Sequence, residues 1–490
     1  MTGRSLTLPL LFLLSQAACT QNYVTPDQFA FRVDSNLVYG TAPNYLGVPV
    51  TLTLDLYKPI GNTDDARPLL VLVHGGSWLA GCKNDGNSGV VGLARAFAGR
   101  GYVVASVNYR LGYQKAAYVP TPAGPPVWPG AYLSLYAADT LEMVRALYRA
   151  QQDVKGAIRW LKARADIDST CADKTFVGGE SAGGFNALAV GFLDRPEEKP
   201  ASCGDLPDAP VPGANLLNQT GYACGLQTWT PTGTMLQRPD LGPVDGTLNL
   251  NGTDARVRGV VNLFGGVPTD AIALDWWQGV DTPSVYLFHQ SCDGIVPFNV
   301  GRPYQTMSGY CNLGATPWHY TYPIILGSNA IKATFEAMPD PPNFTTDFIS
   351  CDPFNSDIAV IDCIRYGNNG SYHAPGNLVQ RAANIAAFLE PLASGPSNCS
   401  VTGIAEQSPP ETRVFPQPAT DQVQVIDPRL EGKVALRMIA MDGHMVAEKS
   451  IRDAHGSVEF TFGKEVPDGI YLLRFQADEG MGSVRVLLQR

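Results

Sequence analysis

The stretch over residues 175–184, TFVGGESAGG, constrains the fold of this chain more than any other part of its sequence. Its first residues are apolar enough to form a buried strand, and residues 185–193 have the composition of a helix. Between the two, glycines stand on both sides of Ser181, which predicts a tight turn with no room for neighbouring side chains. The stretch therefore predicts a strand, a sharp turn and a helix, with the Ser181 hydroxyl exposed above a parallel sheet.

The sequence around this stretch alternates between strand and helix patterns. Residues 48–57 alternate apolar and polar side chains, as in a half-buried strand, and residues 69–73 are apolar on both faces, as in a central parallel strand. The alternation continues through a helix at 90–100, a strand at 102–107, a helical segment at 137–165, strands at 257–264 and 284–288, and helices at 327–338 and 377–392. We therefore predict an α/β fold with a doubly wound, mostly parallel sheet.

Two long segments rich in proline, glycine and polar residues interrupt this pattern, at about 195–255 and 302–372. The first has no regular structure over a length that is usually functional, and the second contains the predicted helix at 327–338. We predict that both are lid-like insertions. A third loop, at 113–130, is expected to lie over the site. Trp276 and Trp277 suit either a pocket wall or the core, and the sequence favours neither.

Two further motifs place polar groups directly after predicted strands. The glycines of the HGGSW motif at 74–78 allow backbone N–H groups to point into a cavity, as a developing oxyanion requires, although a plain glycine turn is the alternative. Asp293 follows the strand at 284–288, where a carboxylate can reach a histidine on the next loop. Asp275 and Asp281 precede that strand and fit the same role less well.

A chain order of serine, acid and then histidine leaves two of the six histidines as candidates for the third group. His319 and His373 are the two that follow Asp293 before the C-terminal segment. His373 is favoured because it lies in a loop just before the last predicted helix of the sheet region, where the base is expected. Either histidine taken alone would be an ordinary loop residue, and only the order and the context indicate a role.

Four motifs are spread over the predicted sheet: HGGSW at 74–78, NYRL at 108–111, GESAGG at 179–184 and DGIVP at 293–297. Together they resemble the alpha/beta-hydrolase carboxylesterases, and most closely the hormone-sensitive-lipase-like and feruloyl-esterase-like branch. The resemblance covers residues 52–392. It implies an alpha/beta-hydrolase fold and ester hydrolysis through an acyl-enzyme, with neither a cofactor nor a metal.

The resemblance also implies a role for each motif residue. Ser181 would be the nucleophile, His373 the general base and acid, and Asp293 the group that holds the imidazole. The oxyanion hole would consist of three backbone N–H groups, those of Gly76, Ser77 and Ala182. Ser77 stands where the lipase-like branch usually has a third glycine. Because the donor is a backbone group, the function should be retained, while the serine side chain narrows the expected pocket.

The amino-terminal residues 1–20 have the layout of a secretory signal peptide. An apolar run at 6–14 follows Arg4 and precedes small residues, and it is too short to span a bilayer. No later stretch is long and apolar enough to do so, and we predict no transmembrane segment. Cys19 offers lipidation as an alternative, but Gln16 stands where a small or apolar residue would be expected.

Nine cysteines follow Cys19, scattered singly and without the spacing of metal ligands. In an exported chain this pattern indicates disulfides rather than a zinc site, and one of the nine must then stay free. Sequence cannot fix their connectivity. The pairings that close the shortest loops are the first to consider, namely Cys203 with Cys224, Cys292 with Cys311, and Cys351 with Cys363.

The C-terminal part of the chain has a different character. Residues 394–412 have the proline, serine and glycine content of a linker, and residues 413–490 contain short alternating strands separated by Asp-Gly turns, typical of a small all-β sandwich. The tail carries FPQPATD at 415–421, DGH at 442–444 and PDGIY at 467–471. These motifs resemble the C-terminal sorting domain of type IX secretion, which implies export and contact with the type IX secretion machinery. A carbohydrate-binding or adhesion sandwich is the alternative.

The sequence as a whole thus predicts a secreted serine carboxylesterase, with a catalytic domain over 21–393 that acts on small or polymer-borne esters. The net charge of −10 argues against nucleic acid as a partner, since phosphate binding requires a basic surface. A prolyl-oligopeptidase-like serine peptidase is an alternative, although no propeller-like repeat precedes the hydrolase region. A surface binding protein with a catalytically silent hydrolase fold is a third possibility, against which the complete set of Ser181, Asp293 and His373 argues.

Overall fold

The computed structural model describes residues 22–86, 88–113, 140–210, 235–269, 276–277, 282–303, 322–351, 372–395, 397, 399, 412–440, 444–477 and 480–490. The chain divides into two compact units, Met1–Cys399 and Ser400–Arg490. The signal peptide predicted at 1–20, together with Cys19, lies outside the described residues.

A mixed eight-stranded sheet forms the centre of the first unit. The strands of this unit are β1 (Phe31–Pro43), β2 (Pro49–Pro59), β3 (Arg67–Val73), β4 (Val103–Val107), β5 (Thr170–Glu180), β6 (Leu206–Pro210), β7 (Met235–Arg238), β8 (Gly259–Leu263), β9 (Gly266–Pro268), β10 (Ser284–Gln290), β11 (Val300–Gly301), β12 (Ile325–Gly327) and β13 (Phe344–Ile349). The large sheet has the order β1-β2-β4-β3-β5-β8-β10-β13. Its first two pairs are antiparallel and all pairs from β4 to β13 are parallel.

Helices cover both faces of this sheet, which explains why its central strands are apolar on both sides. The helices are α1 (Gly89–Ala98), α2 (Thr140–Lys162), α3 (Ala165–Asp168), α4 (Ala182–Phe192), α5 (Ser328–Ala337) and α6 (Leu378–Ala393). One apolar core contains the buried faces of α2, α4 and α5, and a second contains those of α1 and α6. The predicted doubly wound sheet of an alpha/beta-hydrolase is therefore confirmed. No helix in the described ranges is both long and apolar enough to cross a membrane.

The described parts of the first insertion, at 195–210 and 235–254, pack along α2. Basic side chains of this helix are buried there because they donate hydrogen bonds to backbone carbonyls of the insertion: Arg145 to Ser202, Gly204 and Pro239, Arg159 to Asp245 and Leu248. The amphipathic pattern of α2 thus has two causes: its apolar face packs on the sheet, and its polar face lies beneath the insertion. Most of the second insertion, and the loop predicted to cover the site after Tyr113, lie outside the described residues.

Two disulfides connect distant positions of the first unit, Cys171 with Cys399 and Cys292 with Cys351. Cys203 is buried and free. The three pairings considered from the sequence are therefore wrong, namely Cys203–Cys224, Cys292–Cys311 and Cys351–Cys363.

The pairing of Cys292 with Cys351 follows from the sheet rather than from loop length. Cys292 comes two residues after β10 and Cys351 two residues after β13, and these strands are parallel neighbours in which Gln290 faces Ile349. The carboxyl ends of the two strands therefore hold the cysteine Cα atoms 5.8 Å apart, a separation that suits a disulfide. Cys82 is also disulfide-bonded.

The second unit is all-β, as predicted. Its strands are β14 (Arg413–Phe415), β15 (Gln422–Ala440), β16 (Met445–Thr461), β17 (Gly469–Ala477) and β18 (Gly480–Leu488). They form one five-stranded antiparallel sheet instead of two separate sheets. β15 is one long strand with two apolar halves, at 423–426 and 434–439, and shifts in its pairing with β16 between these halves accommodate the polar residues that separate them. Both halves contribute to one apolar core.

Candidate active site

Ser181 occupies a sharp turn between β5 and α4, as the sequence predicts. Its φ of 54° lies in the left-handed region, which is uncommon for a residue with a side chain. The flanking glycines are required by packing: a Cβ atom on Gly183 would lie 2.0 Å from the carbonyl oxygen of Val73 in β3, and one on Gly179 would lie 2.3 Å from that of Gly183. The turn therefore holds the Ser181 hydroxyl above the carboxyl end of the central strands.

The structure brings the three predicted triad residues together. His373 Nε2 lies 2.8 Å from Ser181 Oγ, and His373 Nδ1 lies 2.7 Å from Asp293 Oδ2. The residues come from three different places, the turn after β5, the loop after β10 and the loop before α6, so that 192 positions separate Ser181 from His373. The competing candidates Asp275, Asp281 and His319 lie outside the described residues.

The carboxylate of Asp293 is completely buried and fully hydrogen-bonded. Its Oδ1 accepts from the backbone N–H groups of Ile295 and Val296, while its Oδ2 lies 2.7 Å from His373 and 3.3 Å from His289 Nε2. Burial acts to raise the pKa of Asp293, but attraction to His373 and the hydrogen bonds from both histidines outweigh it and hold the pKa below its ordinary value. The geometry thus keeps an ionised carboxylate behind the imidazole.

The HGGSW loop after β3 packs directly against this turn. A Cβ atom on Gly75 would lie 3.1 Å from Ser181 Cβ, and one on Gly76, where φ is 110°, would lie 2.1 Å from the carbonyl oxygen of Ala80. In the described part of the chain, the N–H groups of Gly76 and Ala182 donate to no backbone acceptor. Trp78 anchors the loop because its Nε1–H donates to the buried Asn186 of α4 at 2.9 Å.

A small cavity of about 20 Å³ lies beside Ser181. The described part of its wall is mostly apolar and includes two of the predicted oxyanion residues; it consists of Ser77, Trp78, Tyr113, Met143, Ser181, Ala182, Phe185, Ile295, Val296, Pro303 and Tyr322. This volume corresponds to about one water-sized sphere. Trp276 and Trp277 do not line the cavity; both are buried in the core, where Trp277 packs on Phe192 and Phe335.

The sequence analysis did not single out Glu180 and Asn186, which support the site. Glu180 precedes Ser181 and turns away from it, accepting hydrogen bonds from the Ser88 hydroxyl and the Gly89 N–H at the start of α1. Burial raises the pKa of Glu180. Both residues are polar and lie in predicted buried elements, Glu180 at a strand end and Asn186 in a helix. Because buried polar groups rarely stay unpaired, the sequence could have indicated that each has a hydrogen-bond partner nearby.

Arg110 of the NYRL motif has a structural part in the fold. It forms a buried ion pair with Asp153 of α2, in which its backbone N–H and its guanidinium both donate to the carboxylate. The ion pair fixes α2 against the loop after β4. This loop lies next to the HGGSW loop, since its Gly112 N–H donates to the Trp78 carbonyl.

His74, which begins the HGGSW loop, is buried and neutral. Its ring stacks on Tyr109 at 4.4 Å between centroids, and its Nδ1–H donates to the Gly75 carbonyl at 2.7 Å. Burial lowers the pKa of His74 from 6.5 to about 4. In the unfolded chain His74 therefore becomes protonated as the pH falls below 6.5, whereas in the folded chain it becomes protonated only at about pH 4.

We accordingly expect acid to destabilise the wild type more than a His74→Asn variant, in which an amide N–H can replace the Nδ1 donor. The contribution of His74 to stability is complete above pH 6.5 and is lost as the pH falls towards 4, by about 3 kcal/mol. Urea unfolding at pH 7 and pH 4.5, followed by tryptophan fluorescence, measures the effect in the first unit, which contains all seven tryptophans. An equal acid-dependent loss in both proteins would contradict this role. Comparing the two proteins removes the contribution of Glu180, whose raised pKa acts in the opposite direction.

Fold and site together define an alpha/beta-hydrolase. Residues 54–122 match the BD-FAE family model, and residues 413–489 match the model described as a secretion system C-terminal sorting domain. The first unit therefore carries a BD-FAE esterase domain of the alpha/beta-hydrolase class, and the tail is a type IX sorting domain. The sorting domain indicates that the protein is secreted, to the cell surface or beyond it.

Solved structures of esterases are also similar to this chain. A truncated form of a carbohydrate esterase from gut microbiota is 15% identical, with 75% of this chain and 98% of that chain covered and a TM-score of 0.39. Esterase 2 of Thermogutta terrifontis with bound propionate is 17% identical, with coverage of 76% and 97% and a TM-score of 0.37. The same esterase phosphorylated by paraoxon is 16% identical, with coverage of 75% and 96% and a TM-score of 0.38. No curated protein matches the chain in sequence.

Proposed function

We propose that this protein is a secreted serine carboxylesterase that hydrolyses small or polymer-borne esters through an acyl-enzyme. The observation that carries the proposal is the continuous set of contacts from Ser181 Oγ through His373 to Asp293, at 2.8 Å and 2.7 Å. Both are hydrogen-bond distances. The first is expected between a nucleophile and its general base, and the second between that base and the carboxylate that orients it.

Each residue has a defined task in the proposed reaction. Ser181 Oγ attacks the ester carbonyl carbon and transfers its proton to His373 Nε2, while Asp293 holds the Nδ1–H and stabilises the imidazolium. The backbone N–H groups of Gly76, Ser77 and Ala182 donate to the oxyanion of the tetrahedral intermediate. His373 then returns the proton to the leaving alcohol, and a water molecule activated by the same imidazole releases the acid from Ser181.

The sequence motifs also support the proposed route of export. The signal peptide over 1–20 would direct the chain into the periplasm, and the sorting domain over 413–490 would engage the type IX machinery at the outer membrane. The catalytic domain would extend over 21–393 and be joined to the tail by the linker at 394–412. Cell fractionation of a chain truncated after residue 412 tests this route, because the truncated protein should remain in the periplasm while the full chain reaches the surface or the medium.

The cavity beside Ser181 predicts a preference for short acyl groups. The cavity is narrow and mostly apolar, so that a short acyl group fits it with less displacement of the wall than a long one. We therefore expect kcat/KM to be highest for p-nitrophenyl acetate and to fall by about 100-fold for the octanoate. The rate of p-nitrophenol release over a series of acyl lengths measures this profile and at the same time tests the proposed esterase activity.

A wall variant provides the matched comparison for the acyl-length series. Met143 of α2 lines the cavity and makes none of the triad contacts, and Met143→Ala enlarges the space there. This variant should keep its activity on the acetate and gain activity on the butyrate and hexanoate. A wild-type profile that is flat or that peaks at the octanoate would contradict the assignment of this cavity to the acyl group.

A further inference from the structure

A second histidine lies behind the carboxylate of the triad. His289 is the penultimate residue of β10, four residues before Asp293, and it is completely buried. Its Nε2 lies 3.3 Å from Asp293 Oδ2, the same oxygen that faces His373, and 3.1 Å from the carbonyl oxygen of Val296. His289 precedes Asp293 in the chain, so the order serine, acid and histidine gives it no role as the base.

A hydrogen-bonded chain fixes the proton position on this histidine. The Gly265 N–H donates to Asn262 Oδ1, which identifies Nδ2 as the other end of the amide, and this Nδ2 donates to Ser328 Oγ at 3.1 Å. The Ser328 hydroxyl is then available to donate to His289 Nδ1, which lies at 2.9 Å. His289 Nδ1 is thus an acceptor, and the proton of the neutral ring belongs on Nε2.

The opposite side of the ring requires the same proton position. A carboxylate oxygen and a carbonyl oxygen both face Nε2, and neither can donate a hydrogen bond. Two independent sets of contacts therefore agree that the proton is on Nε2, where it is hydrogen-bonded to the Val296 carbonyl oxygen and lies beside Asp293 Oδ2. Asn262, Ser328 and His289 are all completely buried, so that water does not compete for these bonds.

We propose that His289 is a positioning residue of the triad, whose Nε2–H holds Asp293 Oδ2 and limits the pull of this carboxylate on the proton of His373. The inference rests on the proposed esterase function. With His289 present, Oδ2 shares its charge between two donors while Oδ1 is satisfied by the Ile295 and Val296 N–H groups. Without it, the two backbone bonds still orient the carboxylate, but His373 is the only side-chain donor left on Oδ2, and the attraction between this oxygen and the imidazole becomes stronger.

In the described part of the chain, two carboxylates act on His373, those of Asp293 and Glu180. Asp293 faces Nδ1 directly, His289 acts through Asp293, and the buried Glu180 exerts an electrostatic attraction from the strand before Ser181. Variants of His289 leave Glu180 and the two backbone donors in place. A shift in the pKa of His373 therefore reports the loss of the hydrogen bond to Asp293.

Two amide variants test the proposal because each reproduces one of the ring nitrogens. His289→Gln can place an N–H donor where Nε2 was, next to Asp293, whereas His289→Asn reaches only the Ser328 side. Nuclear magnetic resonance of ¹³C-labelled histidine gives the pKa of His373 in each full-length protein without any turnover. We expect the Asn variant to raise this pKa by about 0.5 to 1 unit and the Gln variant to leave it close to the wild-type value. If the Asn variant does not fold, His289→Leu should give the same shift.

The acid limb of the kcat/KM profile should move upward with the pKa of His373, so that the Asn variant loses several-fold in rate near pH 6 and little near pH 8. A merely structural histidine would lower the melting temperature of both variants and leave the pKa of His373 unchanged, and that result would overturn the proposal. Failure of the proposed function is separate: a wild type inert towards esters would refute the esterase, while the titration would still decide whether His289 acts on Asp293 and His373.

Discussion

Replacing Ser181 with alanine is expected to lower kcat/KM for p-nitrophenyl acetate by at least about 10⁴-fold, or roughly 5 kcal/mol of transition-state stabilisation. The reason is that His373 Nε2 then faces a methyl group, and no other nucleophile lies within its reach in the described site. Alanine fits the turn after β5 without added volume, so folding should be unaffected. Steady-state rates and a thermal unfolding curve for both proteins measure the two effects separately.

Ser284→Ala is the matched control for this comparison. Ser284 begins β10, at the end of the sheet opposite to the triad, and its hydroxyl accepts only a long hydrogen bond from Asn343. The control should keep wild-type activity. An esterase rate that survives in Ser181→Ala would show that the hydrolysis depends on another group, and the assignment of Ser181 as nucleophile would be wrong.

Asp293→Asn should cost about 10⁴-fold in kcat, comparable to the same change in other serine hydrolases with this constellation. The surroundings of Asp293 explain why an isosteric amide cannot replace the carboxylate. Two backbone N–H groups, those of Ile295 and Val296, select the amide oxygen for their side. The amide NH₂ must then face His373 Nδ1, which is forced to become an acceptor, and the proton moves to Nε2, where it prevents the ring from acting as a base towards Ser181.

The measurement is kcat at pH 7 to 8 for Asp293→Asn beside the wild type, with circular dichroism to verify the fold. Asp254→Asn is a suitable control, because Asp254 forms ion pairs with Lys162 and Arg256 at the surface, away from the triad. The control should retain full activity. A rate within tenfold of the wild type for Asp293→Asn would mean that another carboxylate orients His373, and Asp275 and Asp281 would become the candidates again.

The parts of the fold that the sequence could predict are those specified by local pattern. The central strands are continuous apolar runs, the turn at Ser181 needs glycine on both sides, and the order of the motifs along the chain selects Asp293 and His373 as partners. Each of these signals lies within a few consecutive residues or in the linear order of a few motifs. For this reason the sheet and the three triad candidates are predictable from the sequence.

The parts that sequence could not predict depend on which strands are neighbours in space. The disulfide between Cys292 and Cys351 exists because β10 and β13 are adjacent and parallel, whereas the loop-length argument favoured pairings close in sequence. The hydrogen-bonded chain behind Asp293 has the same origin. Asn262, His289 and Ser328 belong to β8, β10 and α5, and each one alone resembles an ordinary buried polar residue.

The most direct test of the central claim is covalent labelling of the full-length protein with a fluorophosphonate, measured by intact mass and then by peptide mapping. A fluorophosphonate reacts with a serine hydroxyl that a neighbouring imidazole deprotonates, so the test needs no knowledge of the natural ester. We expect one phosphonyl group per chain, located on Ser181, and no label on Ser181→Ala. A folded wild type that remains unlabelled, or that is labelled at another residue, would contradict the assignment of Ser181, His373 and Asp293 as a working triad.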